Sequence, residues 1–282
     1  MKIFNGKKIS ENILDGLKKK ITKEKISPTL GVIFIGKNPE SKLYLKNKKK
    51  AADKIGVKII SYNFNENIEE ETIIDRIKKL NHTPLINGII VQLPLPKKFN
   101  TNKIIDSIDP KKDVDGFTKT NRRLLKINKQ YFAPVLPSAI LIALKYSSKN
   151  LKRKNIIIFV NSDIFGQTSE NFFKNKKIKI KYFVTKKYSL SEIKSKIKSA
   201  DIIISVYGKP GFIKAKMIKE NVILIDAGIK ITKGKLMGDF DRKSVEKKAS
   251  FLTPVPGGIG PLTVALLLNN LYLAAKKNGF RN

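Results

Sequence analysis

The sequence runs to 282 residues with a formal net charge of +35, no cysteine and a single histidine. A chain of this length can bury a substantial core as one large or two medium domains. Without cysteine it has no disulfide, no thiolate nucleophile and no Cys-ligated metal, and one histidine removes His-rich metal sites as well, so no metal is expected. No run matches the roughly 18 apolar residues of a membrane span, and Met1-Lys-Ile-Phe-Asn-Gly6 lacks the apolar centre of a signal peptide. The expectation is a cytoplasmic protein with no membrane partner.

In chain order, Ser10 can cap a helix whose apolar positions Ile13, Leu17 and Ile21 recur at helical spacing. Thr29–Gly36 is a continuous apolar run bounded by glycine, which reads as a buried strand. Pro39–Ile55 reads as helix, Val57–Phe64 as strand and Ile68–Leu80 as helix. His82 falls between that helix and the next strand and reads as a surface residue. Asn87–Leu93 is a second buried strand, followed by Pro94-Leu-Pro96. Prolines between Phe132 and Pro137 suggest a domain boundary before a helix at Ser138–Tyr146. The alternation then restarts: strand Asn155–Val160, helix near Gly166–Phe173, strand Ile178–Val184, helix Ser189–Ser199, and strands Asp201–Val206 and Val222–Asp226. This pattern belongs to α/β folds with parallel sheets. The final helix, Pro261–Lys277, is apolar on most sides through Leu271 and should be buried between elements.

The charge invites a nucleic-acid reading. Of the 58 basic residues, however, only six are arginines, the better base readers. The lysines are scattered among many Asn and Ile, residues with AT-rich codons, so a drifting genome accounts for the excess. No specific nucleic-acid partner is expected.

Four stretches carry chemistry. At about 100° per residue, Lys48 falls roughly 40° from Tyr44, in a stripe with Ser41, Ala51, Ala52 and Ile55, while Lys42, Lys46, Lys49 and Lys50 fall opposite. A partly buried lysine has a lowered pKa and can act as acid or base near neutrality; equally, such a lysine can snorkel from a core edge. Gln92 ends an apolar strand, where open α/β sheets gather ligand-binding groups, or it simply marks the strand's exit from the core. Asp113-Val-Asp115-Gly is an acidic pair before a glycine, compatible with an Asx-type turn. Thr253-Pro-Val-Pro-Gly-Gly-Ile-Gly-Pro-Leu-Thr263 is a stiff glycine loop feeding a helix, a geometry that can present amides to an anion, or else an ordinary tight turn before the last helix.

Together these stretches resemble the bifunctional methylenetetrahydrofolate dehydrogenase/cyclohydrolases. The matches are Ser41-x-x-Tyr44-x-x-x-Lys48 with Lys50-Ala51 and Gly56, Gly88-Ile-Ile-Val-Gln-Leu-Pro-Leu-Pro96, Lys112-Asp-Val-Asp-Gly-Phe117, Gly208-Lys-Pro210, Asp226-Ala-Gly-Ile229, Gly238-Asp239 and Thr253–Pro261, in the family's order over nearly the whole chain. The resemblance implies two α/β lobes facing across a cleft: residues 1–136 with 261–282 as a folate-binding catalytic lobe, and 137–260 as a Rossmann-like lobe for NADP, with NAD possible. The last helix would return to the first lobe, and the protein would be a homodimer acting on tetrahydrofolate one-carbon derivatives. Lys48 would be the general acid/base, Gln92 its orienting neighbour, Tyr44 a folate-packing hydrogen-bond partner and Asp115 the pterin-binding carboxylate. Val91, Leu93 and Pro256-Gly257-Gly258-Ile259-Gly260 would line the folate site, making the glycine loop a ligand wall rather than an anion cradle. Val160, Asn161, Ser162, Gly166, Thr185 and Ile229 would line the cofactor site.

The second lobe departs from the family pattern. Val160-Asn161-Ser162 stands where Gly-Arg-Ser is usual, Thr168 where a proline is, and Pro134-Val-Leu-Pro137 where Pro-Cys-Thr-Pro is. Val160 brings a Cβ to a turn where glycine allows close phosphate approach, and the arginine for a 2′-phosphate is lost. Lys186 and Lys187, after Thr185, can substitute only as point charges. Two other readings therefore stand beside the bifunctional enzyme: a cyclohydrolase with a weakened or NAD-preferring dehydrogenase, and a basic nucleic-acid or partner-binding protein on a retained fold.

Overall fold

The computed structural model describes residues 1–232 and 234–279. The chain forms two compact units, one of Met1–Ile9 with Leu136–Thr263, the other of Ser10–Val135 with Val264–Asn282. It opens with a two-residue strand, β1 (Lys2–Ile3), and a helix, α1 (Gly6–Glu24). Ser10 is not a cap: it is buried inside α1, and the Asn5 carboxamide accepts from the Lys8 amide at the helix start.

The three-stranded unit is built on β2 (Thr29–Ile35), β3 (Lys58–Phe64) and β4 (Gly88–Val91), all parallel in the order β3-β2-β4. The helices α2 (Pro39–Ile55) and α3 (Glu70–Asn81) make the crossovers. Strand β2 is buried at every residue, and its alternate side chains serve two cores. Leu30 and Val32 pack with Leu17 and Ile21 of α1, Ala52 and Ile55 of α2, and Leu267, Leu268 and Leu271 of α10 (Ile259–Gly279). Ile33 and Ile35 pack with Ile73, Ile77 and Leu80 of α3 and Ile104 of α4 (Thr101–Asp106). Each such side chain contributes about 1.5–3 kcal/mol, so both faces hold firmly. A further helix, α5 (Lys119–Lys126), follows. Because β3 and β4 lie on opposite sides of β2, the topological switch point falls at the carboxyl ends of β2 and β4. That is where open α/β sheets bind ligands.

The six-stranded unit has α6 (Val135–Ser147), β5 (Ile156–Val160), α7 (Asp163–Asn175), β6 (Lys181–Val184), α8 (Leu190–Ser199), β7 (Ile202–Val206) and β8 (Val222–Asp226). A short antiparallel hairpin, β9 (Lys230–Thr232) and β10 (Lys235–Met237), precedes α9 (Arg242–Val245) and β11 (Ala249–Leu252). The main sheet is parallel in the order β1-β11-β8-β7-β5-β6, a doubly wound arrangement with its switch point between β5 and β7.

Several sequence expectations shift. Residues 1–9 group with the six-stranded unit, not with residues 10–135, because β1 pairs in parallel with β11, Lys2 opposite Phe251. Helix α6 starts at Val135, before Pro137, and α10 starts at Ile259, so Ile259 and Gly260 are helical rather than part of the loop. Prolines are tolerated in a first turn, where the amide has no partner. Helix α10 also reaches the length and apolarity of a membrane span across Ile259–Lys277, but 61% of that stretch is buried, as befits a core helix.

In the three-stranded unit, Gly88 marks a tight contact. A Cβ there would lie 2.6 Å from Val114 Cγ1 and 2.8 Å from Leu271 Cδ1. Overpacking of that kind costs about 1–3 kcal/mol. Denaturant unfolding of Gly88→Ala is expected to show a loss of that size with an unchanged m-value.

Candidate active site

Helix α2 is bounded sharply. The Asn38 side chain accepts from the Ser41 amide at 2.8 Å, Pro39 fills the first turn, and Gly56 closes the helix in the left-handed region at φ 76°. The Ser41 hydroxyl, itself buried, donates to the Leu93 carbonyl at 3.1 Å and ties the first turn of α2 to the segment after β4. One turn beyond Tyr44, the Lys48 amine donates to Gln92 Oε1 at 2.7 Å, while Gln92 Nε2 donates to the Leu93 carbonyl at 3.0 Å. The helical stripe thus turns Ser41, Lys48, Ala52 and Ile55 inward and leaves Lys42, Lys46, Lys49 and Lys50 exposed. Val91 is buried at the end of β4, whereas Leu93 is exposed.

Asp115 comes to this site from a different segment. The chain pairs once with β4, Ile89 beside Asp113, and the Ile89 amide donates to the Lys112 carbonyl at 2.7 Å. Lys112 is buried and caps α3, its amine donating to the carbonyls of Leu80 at 2.9 Å and Thr83 at 2.8 Å. Asp113 exceeds a simple Asx turn: its carboxylate accepts from the Gly116 amide, the Thr118 amide and the Asn121 side chain at 2.8–2.9 Å.

The electrostatics follow from desolvation. Burial lowers the Lys48 pKa to about 8, opposed by the nearby Asp115 charge. Burial raises Asp115 to about 6, the Lys48 charge opposing and the Asp113 charge adding to the rise. Burial likewise pushes Tyr44 up to about 12. The amine therefore exchanges its proton close to neutrality, beside a carboxylate that is mostly ionised at pH 7. Sequence reading gave no role to Lys112, known only as the start of the Lys112–Phe117 match, and did not single out Asn121, which lies 8 residues from Asp113 in the chain.

In the six-stranded unit, the β5–α7 turn lies at the switch point. Ser162 caps α7 by accepting from the Phe165 amide at 3.4 Å, leaving Asn161 exposed on the turn. Val160 needs correction as a contact residue: it is fully buried and paired within β5, so its Cβ enters the sheet core and does not obstruct the turn. Thr185 is also buried, its hydroxyl committed to the Val160 carbonyl at 3.3 Å. Gly166 lies inside α7, where a Cβ would come within 2.2 Å of the Tyr182 ring, so it serves helix–strand packing. The end of β6 carries exposed Lys186 and Lys187 and no carboxylate of its own, although Asp163 of α7 reaches Lys187 at 3.3 Å. This charge and the capped helix terminus fit a phosphorylated dinucleotide.

Beyond β7, Asp239 accepts from the Ser205 hydroxyl at 2.6 Å and from the amides of Tyr207, Gly208 and Lys209 at 2.6–3.2 Å. Asp226 accepts from the amides of Asp239 and Phe240, both at 3.1 Å. Burial first, then the Asp239 charge, raises Asp226 to about 8. Gly208 takes φ 77°, and a Cβ there would lie 4.0 Å from the Ile229 carbonyl oxygen. In the glycine loop, Gly257 takes φ 101° and Gly258 packs its backbone against Gly6, whose Cβ would lie 1.8 Å from the Gly258 oxygen.

An amine–carboxamide–carboxylate set at one switch point and a capped helix at another define a two-domain α/β enzyme with a nucleotide-binding domain. Residues 4–115 match the model of the tetrahydrofolate dehydrogenase/cyclohydrolase catalytic domain, and residues 134–279 that of its NAD(P)-binding domain. The chain belongs to the tetrahydrofolate dehydrogenase/cyclohydrolase family. A relative from Nautilia profundicola, named bifunctional protein FolD, is 40% identical over 282 residues, 98% of each chain. The crystal structure of a bifunctional methylenetetrahydrofolate dehydrogenase/cyclohydrolase from Campylobacter jejuni superposes with a TM-score of 0.88 at 36% identity, covering 98% of this chain and 99% of that one. A dehydrogenase-cyclohydrolase from Trypanosoma brucei, solved with NADP cofactor and an inhibitor, gives 0.89 at 27% identity over 99% of this chain and 98% of that one.

The lowered Lys48 pKa has a signed consequence for stability. Between about 8 and the ordinary value of 10.5 the unfolded state holds the proton more tightly, so stability rises with pH across that window. In Lys48→Met this rise should disappear. Denaturation at the two ends of the window is expected to show the difference between parent and variant changing by up to about 3 kcal/mol.

Proposed function

We propose that the chain oxidises 5,10-methylenetetrahydrofolate to the 5,10-methenyl form with NADP+ and hydrolyses that product to 10-formyltetrahydrofolate. The observation that carries this reading is the Lys48 amine, held 2.7 Å from Gln92 Oε1 and titrating at about 8. A general acid/base works best with a pKa near the operating pH. The methenyl carbon is already electrophilic, so hydrolysis needs only a base for water and an acid for the leaving nitrogen. Neutral Lys48 takes a proton from the attacking water as the carbon–oxygen bond forms. The ring carbon–nitrogen bond then breaks while the same amine passes the hydroxyl proton to the departing nitrogen. The balance is one water consumed and one proton released.

Gln92 orients the amine, with its own Nε2 anchored on the Leu93 carbonyl. Asp115, ionised above about 6, accepts hydrogen bonds from the pterin ring. Tyr44, one turn from Lys48, packs on the folate and keeps its proton as a donor. Val91 and Leu93, at and just beyond the end of β4, line the folate site beside them. NADP+ supplies the hydride acceptor when bound. Asn161, Ser162 and the first turn of α7 would hold its phosphates, Ile229 would line the cofactor site, and Lys186 with Lys187 would offer positive charge to the 2′-phosphate. The Val160 and Thr185 side chains contribute through the sheet end they stabilise. The working unit is a homodimer in the cytoplasm.

Lys48→Met is expected to lose methenyl hydrolysis by at least a hundredfold while tetrahydrofolate still binds by fluorescence titration. Undiminished hydrolysis would remove Lys48 from the mechanism. Steady-state assays with NADP+ and NAD+ side by side test the cofactor site: Lys186→Ala/Lys187→Ala should raise KM for NADP+ about tenfold and leave KM for NAD+ within twofold. The Asp163–Lys187 pair and the exposed Asn161 favour one rival, a cyclohydrolase whose dehydrogenase prefers NAD+. Reduction of NAD+ in preference to NADP+ by the parent protein would select it.

A further inference from the structure

Among its described side chains, helix α10 carries one buried amide within its apolar face. Asn270 is 6% exposed, with Leu267, Leu268, Leu271 and Ala274 of the same core around it. A carboxamide in such surroundings is costly unless its donors are used. Here they are: Nδ2 donates to the Val114 carbonyl and to the Ala133 carbonyl, both at 2.9 Å. Val114 is the residue immediately before Asp115. We propose that Asn270, acting with Asp113, is a positioning residue that presets the carboxylate of Asp115 for the pterin ring.

The peptide around Asp115 is fixed on each side. Asn270 holds the preceding carbonyl, the Val135 amide donates to the Asp115 carbonyl at 3.3 Å, and the Gly116 amide donates to Asp113 Oδ1 at 2.9 Å. Gly116 takes φ 80°, and a Cβ there would lie 3.1 Å from Pro134 Cα, so the segment at 132–135 lies tight against the one that carries Asp115. Asn270 bridges these two segments. Only the side-chain torsions of Asp115 are left to settle when a ligand arrives, which removes backbone ordering from the cost of binding.

The inference rests on the proposed role of Asp115, and the test separates the two. Tetrahydrofolate, which has the pterin without the one-carbon bridge, is titrated into the full-length parent protein and into Asp115→Asn, Asn270→Leu, Asn270→Gln and the Asp115→Asn/Asn270→Leu double variant. Asn270→Leu is expected to weaken binding about tenfold and to raise KM for folate similarly in both reactions, with KM for NADP+ within twofold. Asn270→Gln, which keeps the donor, should recover part of the loss. On the Asp115→Asn background Asn270→Leu should add less than twofold, because no carboxylate remains to be placed; a purely structural amide would add its full factor. If Asp115→Asn binds as the parent does, the role of Asp115 falls. If Asp115→Asn is weak but folded Asn270→Leu binds as the parent does, or the double variant shows the full additive loss, the positioning role falls. Should Asn270→Leu fail to fold, the same outcomes are read on Asp113→Asn, which keeps the side chain's shape and withdraws an acceptor.

Discussion

A lysine amine taken out of water must either lose its proton or find partners for it, and the three-stranded unit is arranged around that constraint. Lys48 has one neutral acceptor, Gln92, and one nearby counter-charge, Asp115; burial lowers its pKa to about 8 against the pull of that charge. A closer or fully ionic partner would hold the proton more firmly, and an apolar pocket would expel it altogether. The supporting contacts serve this balance. The Asn38 cap fixes where α2 starts, the Ser41 tether fixes how it docks, and the Leu93 carbonyl receives both Ser41 and Gln92. The chemistry is thus held by helix and strand ends rather than by free loops.

Desolvation also explains how one amine can matter in so basic a chain. Among the described residues, burial lowers the pKa of two lysines, Lys48 and Lys112. Lys112 spends its donors on backbone carbonyls at the end of α3 and is structural. Lys48 has a side-chain partner and a mobile proton. Many of the 58 basic residues project into water, where their number colours the surface without entering the site.

Much of the fold was legible because its signals are periodic and strong. Helix α2 and strand β8 have the bounds that the sequence implies, and the hundred-degree stripe on α2 already places Lys48 on the inward face. What escaped is what depends on distant partners. Strands β1 and β11 have two and four residues and are strands only because they pair with each other and with β8. Val160 looked like an obstacle to phosphates because its identity, but not its side of the pleat, is written in the sequence. Asn270 reads as a polar blemish on an apolar helix; only across 156 residues does it meet the Val114 carbonyl.

The discontinuous make-up of the three-stranded unit sets an order of assembly during synthesis. Its core includes Val264, Leu268, Leu271 and Tyr272, which leave the ribosome after everything else that the unit contains. The six-stranded unit, from residues 1–9 and 136–263, has all its strands translated by then. Domains fold as units once their parts are available. The nascent chain therefore carries a completed nucleotide-binding sheet while the catalytic half still waits, its apolar sheet face uncovered, for the last helix. A truncation within α10 would release a protein whose cofactor domain is whole and whose catalytic core has never closed.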